Sequence, residues 1–174
     1  IYTVIKNGYQ AAMMAPTEIL ATQHFESLTK MFSKSDLKIA LLTGSTPAKQ
    51  KREIKKAVFN NEIDMLIGTH ALIQNDVEFR KLALVITDEQ HRFGAGQRER
   101  LFSKGTSVHA LSMSATPIPR TLAMVLYGDS DISTLDEMPP NRRKTDTFLV
   151  DSSYEERLYK FILKNIEAGG LVYI

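Results

Sequence analysis

The chain has 174 residues, long enough for one substantial domain or for one domain and part of another. With 43% hydrophobic and 24% charged residues and a formal net charge of +2, it is not an overall basic nucleic-acid binder, so any such role falls to local clusters of Lys and Arg. The lack of Cys excludes a disulfide framework and Cys-ligated zinc or iron–sulfur sites, and no apolar run is long enough to span a membrane.

In chain order, five short apolar runs predict strands: QAAMMA (10–15), KIALLT (38–43), DMLIG (64–68), LALVITD (82–88) and VHALSM (108–113). Several are apolar throughout, the pattern of parallel strands buried on both faces. Between the first two, Ala21, Phe25, Leu28 and Phe32 fall on one face of a helix expected over about Thr17 to Ser33. Thr46 and Pro47 read as the cap and first turn of a second helix reaching about Phe59. Strands alternating with such helices predict an open, mostly parallel α/β sheet flanked by helices. Residues 128–144 are polar, Pro-containing and aperiodic, and read as a linker between a first lobe (1–127) and the start of a second (145–174). In that second part TDTFLV (145–150) and LVYI (171–174) read as strands. The helix between them carries Leu158, Phe161, Ile162 and Ile166 on one face and stops at Gly169. The start at Ile1 without Met and the stop within a strand-like run lead us to expect a chain cut at both ends.

The run LALVIT ends in Asp88 and Glu89, followed by Gln90, His91 and Arg92. Ligands of open α/β sheets gather at the carboxyl ends of the strands. A carboxylate there can hold Mg²⁺, directly or through water, and a second can orient or deprotonate an attacking water. The competing reading is an exposed acidic corner. Asp136–Glu137 provides an internal contrast, since no strand precedes it and two prolines follow, and it is expected to be solvated. Ser114 and Thr116 follow another predicted strand, so their hydroxyls fall at the same edge and can reach the 88–91 loop; alone, they are as well explained by a helix-capping turn. MAPTEIL (14–20) and IGTHALI (67–73) also place small polar residues just past strands, where hydroxyls and helix N-termini suit phosphate oxygens.

Of the histidines, only His91 is a functional candidate. His24 and His109 read as packing or surface residues, His70 as a turn cap, and no pair has supported metal-ligand spacing. The basic run KQKREIKK (49–56) reads as a solvated helix face, whereas Arg92, Arg98, Arg100 and Arg120 flank the acid-pair site. A nucleoside triphosphatase of this type needs a Gly-rich loop of the form GxxxxGK[ST], and none occurs in the chain. TGSTPAKQ (43–50) has the residue types at the wrong spacing.

Five blocks in this order, APTEILATQH (15–24), LLTGS (41–45), IGTHALIQ (67–74), DEQHRFGAGQRERL (88–101) and SATPIPRTLAMVLYGDSDIS (114–133), resemble the motifs of superfamily 2 DNA helicases, most of all the RecG branch-migration helicases. The resemblance covers about residues 10 to 150. It implies RecA-like lobes of the P-loop class that bind ATP and Mg²⁺ between them, and branched or forked DNA as partner in recombination and repair, in a bacterial cytoplasm and away from membranes. It also implies that Asp88 holds Mg²⁺ through water, Glu89 activates the water, and Gln90 and His91 link the γ-phosphate to DNA contacts. Ser114, Ala115 and Thr116 become the motif that couples hydrolysis to unwinding. Pro16, Thr17 and Glu18, with Gly44 and with Gly68–Thr69, resemble strand-contacting motifs, while Gln97 and Arg98 lie in a RecG-typical stretch without an assigned role.

The resemblance places the phosphate loop about 20–30 residues before MMAPTEIL, one strand–loop–helix unit away. It leaves the remaining functions to partners outside the chain: that Walker A segment, the rest of the second lobe and a wedge domain. The missing strand is expected inside the sheet, its loss leaving a gap closed by dimerisation, strand exchange or other parts of the protein. Other readings are a transcription-repair coupling translocase, which shares HRFG and SATPIPRTL but typically has DEEH; a non-catalytic lobe that binds DNA or a partner; and a phosphoacceptor signalling domain, disfavoured because the first strand is followed only by Glu18. The 174-residue chain alone is expected neither to bind ATP tightly nor to hydrolyse it. DNA-stimulated ATPase from the isolated chain refutes that.

Overall fold

The computed structural model describes residues 1–116, 131–137 and 145–173. The chain divides into two compact units, Ile1–Leu126 and Tyr127–Ile174.

In the first unit a short helix, α1 (Tyr2–Lys6), leads into β1 (Gln10–Met14), followed by α2 (Glu18–Met31), β2 (Ile39–Leu42), α3 (Ala48–Phe59), β3 (Met65–Gly68), β4 (Leu82–Asp88), α4 (Ala95–Phe102) and β5 (His109–Met113). Single 3₁₀ turns at His70–Ile73 and Gln90–Arg92 follow β3 and β4. The strands form one parallel sheet in the order β2-β3-β1-β4-β5. All five predicted strands are present, and β4 has the predicted bounds. Their apolar runs have the expected cause, because every residue of β1 and β3 is buried.

Alternation across the pleat sorts the core into two layers. Ala11, Met13, Met65, Ile67 and Ile86 face α1 and α2, packing with Ile5, Ala21, Phe25 and Leu28. Ala12, Met14, Leu66 and Val85 face the other way, toward Val58 of α3, Leu72, Val77 and Leu101 of α4. The register against β1 slips by one residue between Gln10 and Ala11, so Leu82 and Leu84 of β4, two apart, serve opposite layers.

Thr17, where the helix was expected to begin, caps α2, its hydroxyl accepting the Leu20 N–H. Thr46 does not cap α3: Pro47 occupies that position, and the Thr46 hydroxyl accepts the Thr43 N–H at 3.0 Å, closing the 43–46 loop on itself. Gly68 lies so close to β2 that a Cβ there would overlap the Leu42 carbonyl oxygen.

The expected gap does not fall among these five strands, which are hydrogen-bonded neighbours throughout. The poorly covered part of the sheet is its β5 edge, where His109 to Ser112 are exposed. In the second unit, the predicted helix is present as α5 (Glu155–Glu167), preceded by a 3₁₀ turn. Gly169, with φ +83°, ends it as expected, and the Gly169 and Gly170 N–H groups donate to Ile166 O and Asn165 O. Its apolar face stays half exposed at Leu158, Phe161 and Ile166. Residues 145–150 and 171–173 are not strands in this structure, contrary to expectation. Strand conformation is stabilised by a hydrogen-bonded neighbour, and the described residues of this unit supply a helix instead. The proposed linker 128–144 is described only at 131–137.

Gln10 ties the layers together. From a fully buried position its amide donates to Val58 O (2.8 Å) and Ile63 O (2.9 Å), and its Oε1 accepts the N–H groups of Arg80 and Lys81, both at 3.0 Å. Gln10→Leu keeps the volume but strands Ile63 O and the Arg80 and Lys81 N–H groups, while Val58 O keeps the Asn61 N–H. It is expected to cost about 3 kcal/mol or more, because each unpaired buried group costs about 1–3 kcal/mol. Urea unfolding with an unchanged m-value measures this.

Candidate functional site

The connections fix where a site can form. From β1 the chain crosses by α2 toward β2, while from its neighbour β4 it crosses by α4 toward β5, on the opposite face. Adjacent strands whose crossovers diverge leave a crevice beyond their carboxyl ends. Here that crevice lies between the ends of β1 (Ala15-Pro16-Thr17-Glu18) and β4 (Asp88-Glu89).

Asp88 is the last residue of β4 and pairs with Met113, which brings Ser114 beside Glu89. Asp88 Oδ2 lies 2.7 Å from Nε2 of His24, a residue of α2. The Ser114 hydroxyl donates to Glu89 Oε2 at 3.3 Å, and the Thr116 N–H donates to Ser114 Oγ at 3.2 Å. His91 Nδ1 lies 3.5 Å from the same Glu89 oxygen. One residue back, the buried Thr87 hydroxyl meets Ser112 Oγ at 3.2 Å, so the β4 and β5 ends are joined by side chains as well as by the ladder. Gln90 is buried behind the pair. The acid pair and the 114–116 turn therefore meet, as the sequence suggested. Asp136 and Glu137, by contrast, are exposed and outside any helix or strand.

A second cluster surrounds Glu18 at the start of α2. Its carboxylate accepts the Ser45 hydroxyl (2.6 Å) and the Ser45 N–H (3.0 Å). The hydroxyl bond first, then the N–H bonds of the loop, hold the Glu18 carboxyl below its ordinary pKa. That anchoring is complete above the ordinary carboxylate range and is lost as pH falls through the lowered pKa. Gly44 packs so closely that a Cβ would sit 2.8 Å from Glu18 Oε1. Lys51 Nζ donates to Gly44 O at 2.7 Å. Gly68 O accepts the Ala15 N–H at 2.9 Å, joining the ends of β3 and β1, and the adjacent Thr69 hydroxyl is buried with no partner among the described residues. Pro16, Thr17, Glu18, Gly44, Gly68 and Thr69 thus line neighbouring strand ends.

Other candidates stand apart. Gln97 accepts the Gly94 N–H at 3.3 Å and caps α4; Arg98 is half-buried, its Nε unpaired among the described residues; Arg92 is exposed. Arg120 lies outside the described residues. In the basic run, Lys55 is taken up by Asp76 (2.6 Å) and Lys51 by the Gly44 carbonyl.

Two participants were not singled out from the sequence. His24 was read as packing or surface, and Ser45 entered only as part of LLTGS and TGSTPAKQ, with no role of its own. A hint for His24 was its place seven residues after the Thr17 cap, two turns along α2 and beside the buried Ala21. Its partner depends on strand order, which no local pattern reveals.

The donor set suits Mg²⁺ in one respect. Asp88 offers a hard carboxylate at a strand end, a donor type suited to an ion that keeps waters and phosphate oxygens as its other ligands. The triphosphate is different, since no GxxxxGK[ST] cradle is among these 174 residues.

The profile of the DEAD/DEAH box helicase family matches residues 1–125. The chain is 49% identical to the ATP-dependent DNA helicase RecG of Bacillus subtilis over all 174 residues, which span 26% of that relative. It is 49% identical to RecG of Thermotoga maritima over 167 residues, 96% of the chain and 21% of the relative. A solved structure of RecG bound to a three-way DNA junction superposes with a TM-score of 0.77 at 48% identity, covering 94% of this chain and 22% of that one. A helicase, MrfA, bound to DNA shares the fold alone, with a TM-score of 0.56 at 16% identity over 72% of this chain and 18% of that one.

The backbone at the acid pair is strained. Glu89 sits in the left-handed region at φ 50° and ψ 54°, where a side chain costs about 1–2 kcal/mol. Glu89→Gly is therefore expected to be more stable than Glu89→Ala by about 1 kcal/mol, the reverse of their order inside a helix. Paired thermal melts of the two variants decide it; a more stable Ala variant refutes the strain.

Proposed function

The chain belongs to the DEAD/DEAH box helicase family, and from that premise we propose that the protein works as a RecG-type ATP-dependent DNA helicase that remodels branched or forked DNA in recombination and repair. The observation that carries this reading is the meeting of Asp88–Glu89 with Ser114 at the crevice between β1 and β4. In this reading residues 1–127 form the first RecA-like lobe, 128–144 the linker and 145–174 the start of the second lobe. The protein acts in a bacterial cytoplasm with DNA as its partner, and with a Walker A segment, a completed second lobe and a wedge domain.

Each residue's task follows from its chemistry. Asp88 holds Mg²⁺ through water, and that ion, when bound, supplies positive charge against the phosphate oxygens. Glu89 takes a proton from the attacking water or orients it, with Ser114 and His91 fixing the carboxylate from two sides. Because Ser114 Oγ also accepts the Thr116 N–H, a change at Glu89 propagates into the 114–116 turn, which is the coupling this reading requires. In this reading Gln90, buried, holds the loop and His91, half exposed, meets a ligand, which is supported by their burial alone.

For the nucleic acid, the N-terminus of α2 presents N–H groups to phosphate oxygens beside the exposed Gly44–Ser45 loop, whose Ser45 N–H and hydroxyl are held by Glu18. Glu18 serves there by holding the loop rather than by touching DNA, since a carboxylate repels phosphate and this one is already bonded to Ser45. Thr17 provides a neighbouring exposed hydroxyl, whereas that of Thr69 is buried.

In the intact protein, Glu89→Gln is expected to lower DNA-stimulated ATP hydrolysis about 10²-fold or more, the scale of a positioned general base. Asp136→Asn, at the solvated pair, is expected to leave it unchanged. Forked DNA is expected to stimulate more than linear duplex. Turnover by Glu89→Gln at the wild-type rate overturns the assignment.

A further inference from the structure

The two members of the acid pair are held by different elements. Glu89 is held from the β5 side by Ser114, whereas Asp88 is held from α2 by His24. His24 belongs to neither apolar core layer; the α2 residues that pack against the sheet are Leu20, Ala21, Phe25 and Leu28. Its ring nitrogen instead comes within 2.7 Å of a carboxylate 64 positions away in sequence, and both side chains are largely covered, 27% and 17% exposed. Among the described residues no hydrogen bond engages the other oxygen, Oδ1. A short bond to one oxygen selects a side-chain rotamer and leaves the second oxygen open to a cation, the arrangement by which an outer partner orients a metal-binding group.

We propose that His24 is a positioning residue for Asp88: its Nε2–H donates to Oδ2 and fixes the carboxylate so that Oδ1 is presented to the divalent cation. The inference rests on the role proposed above for Asp88. It requires only the Nε2–H, which the neutral Nε2 tautomer and the cation both carry. The reach of this contact goes beyond one side chain. Glu18, which anchors the Gly44–Ser45 loop, and His24 stand on the same 14-residue helix, six positions apart. α2 thereby joins the loop assigned to DNA and the carboxylate assigned to the metal in one rigid element.

The test uses the 174-residue chain, isotope-labelled for NMR, with Mn²⁺ alone as the probe. In the wild type, Asp88→Asn is expected to shift the His24 ring nitrogen resonances, and Glu89→Gln to leave them in place. Paramagnetic broadening at the amides of residues 88–90 is expected to require about three- to tenfold more Mn²⁺ in His24→Phe, the cost of ordering one freed side chain. His24→Gln, which keeps a side-chain N–H, is expected to recover most of that loss. A His24 ring indifferent to Asp88→Asn overturns the proposal. So does a Mn²⁺ titration unchanged in His24→Phe, even if its melting temperature falls, since that is the signature of packing alone. Absence of DNA-stimulated ATPase in the intact wild-type protein sinks the helicase reading instead, and leaves the ring resonances where they are.

Discussion

The central strand β1 must be buried on both faces and hydrogen-bonded along both edges, and most of the first unit answers to that requirement. Its five residues pair with β4 on one side and Ala11–Met14 with β3 on the other, with Ala11 and Met13 facing one helix layer and Ala12 and Met14 the other. A strand so enclosed cannot end in a loose loop without leaving polar backbone unpaired. Gln10 closes its start through four backbone partners, and the Ala15 N–H closes its end on Gly68 O. With both layers occupied, the crossovers from β1 and β4 leave on opposite faces, and the crevice between their carboxyl ends follows from the packing.

The same constraint shapes the electrostatics of that crevice. Asp88 and Glu89 are held by an imidazole and a hydroxyl, and neither is paired with a Lys or Arg among the described residues. A guanidinium on either would hold the carboxylate in a bidentate grip and compete with a cation. Single-point donors orient the oxygens without that bidentate grip. The strained backbone at Glu89 belongs to the same design, because φ 50° turns the chain sharply after β4 and keeps the second carboxylate beside Ser114. Three lysines of the first unit serve structure: Lys51 grips the Gly44 carbonyl, Lys55 pairs with Asp76, and Lys104 donates to the Gln74 and Val77 carbonyls, its pKa lowered by burial.

The second unit illustrates the reverse case. Its helix has the amphipathic pattern the sequence showed, yet Phe161 and Ile166 remain more than half exposed, and Phe148 and Leu149 are almost fully so. Helical hydrogen bonds are internal to the segment and form wherever capping and propensity allow. Strand hydrogen bonds need another strand, so 145–150 and 171–173 stay irregular here.

The sequence by itself determined what depends on local chemistry. Continuous apolar runs specified two-sided burial of β1 and β3, Thr17 capped α2, Gly169 stopped the last helix, and a strand ending in Asp88–Glu89 announced a carboxylate pair at a sheet edge. What tertiary structure alone decided is everything that needs the order of strands. The order β2-β3-β1-β4-β5 brings His24 to Asp88 across 64 positions and Ser45 to Glu18 across 27, and it leaves β5 as an edge among the described residues. Periodicity records which face of an element is buried, but it carries no label for the element that does the burying, and a hydrogen bond between two side chains depends on that label.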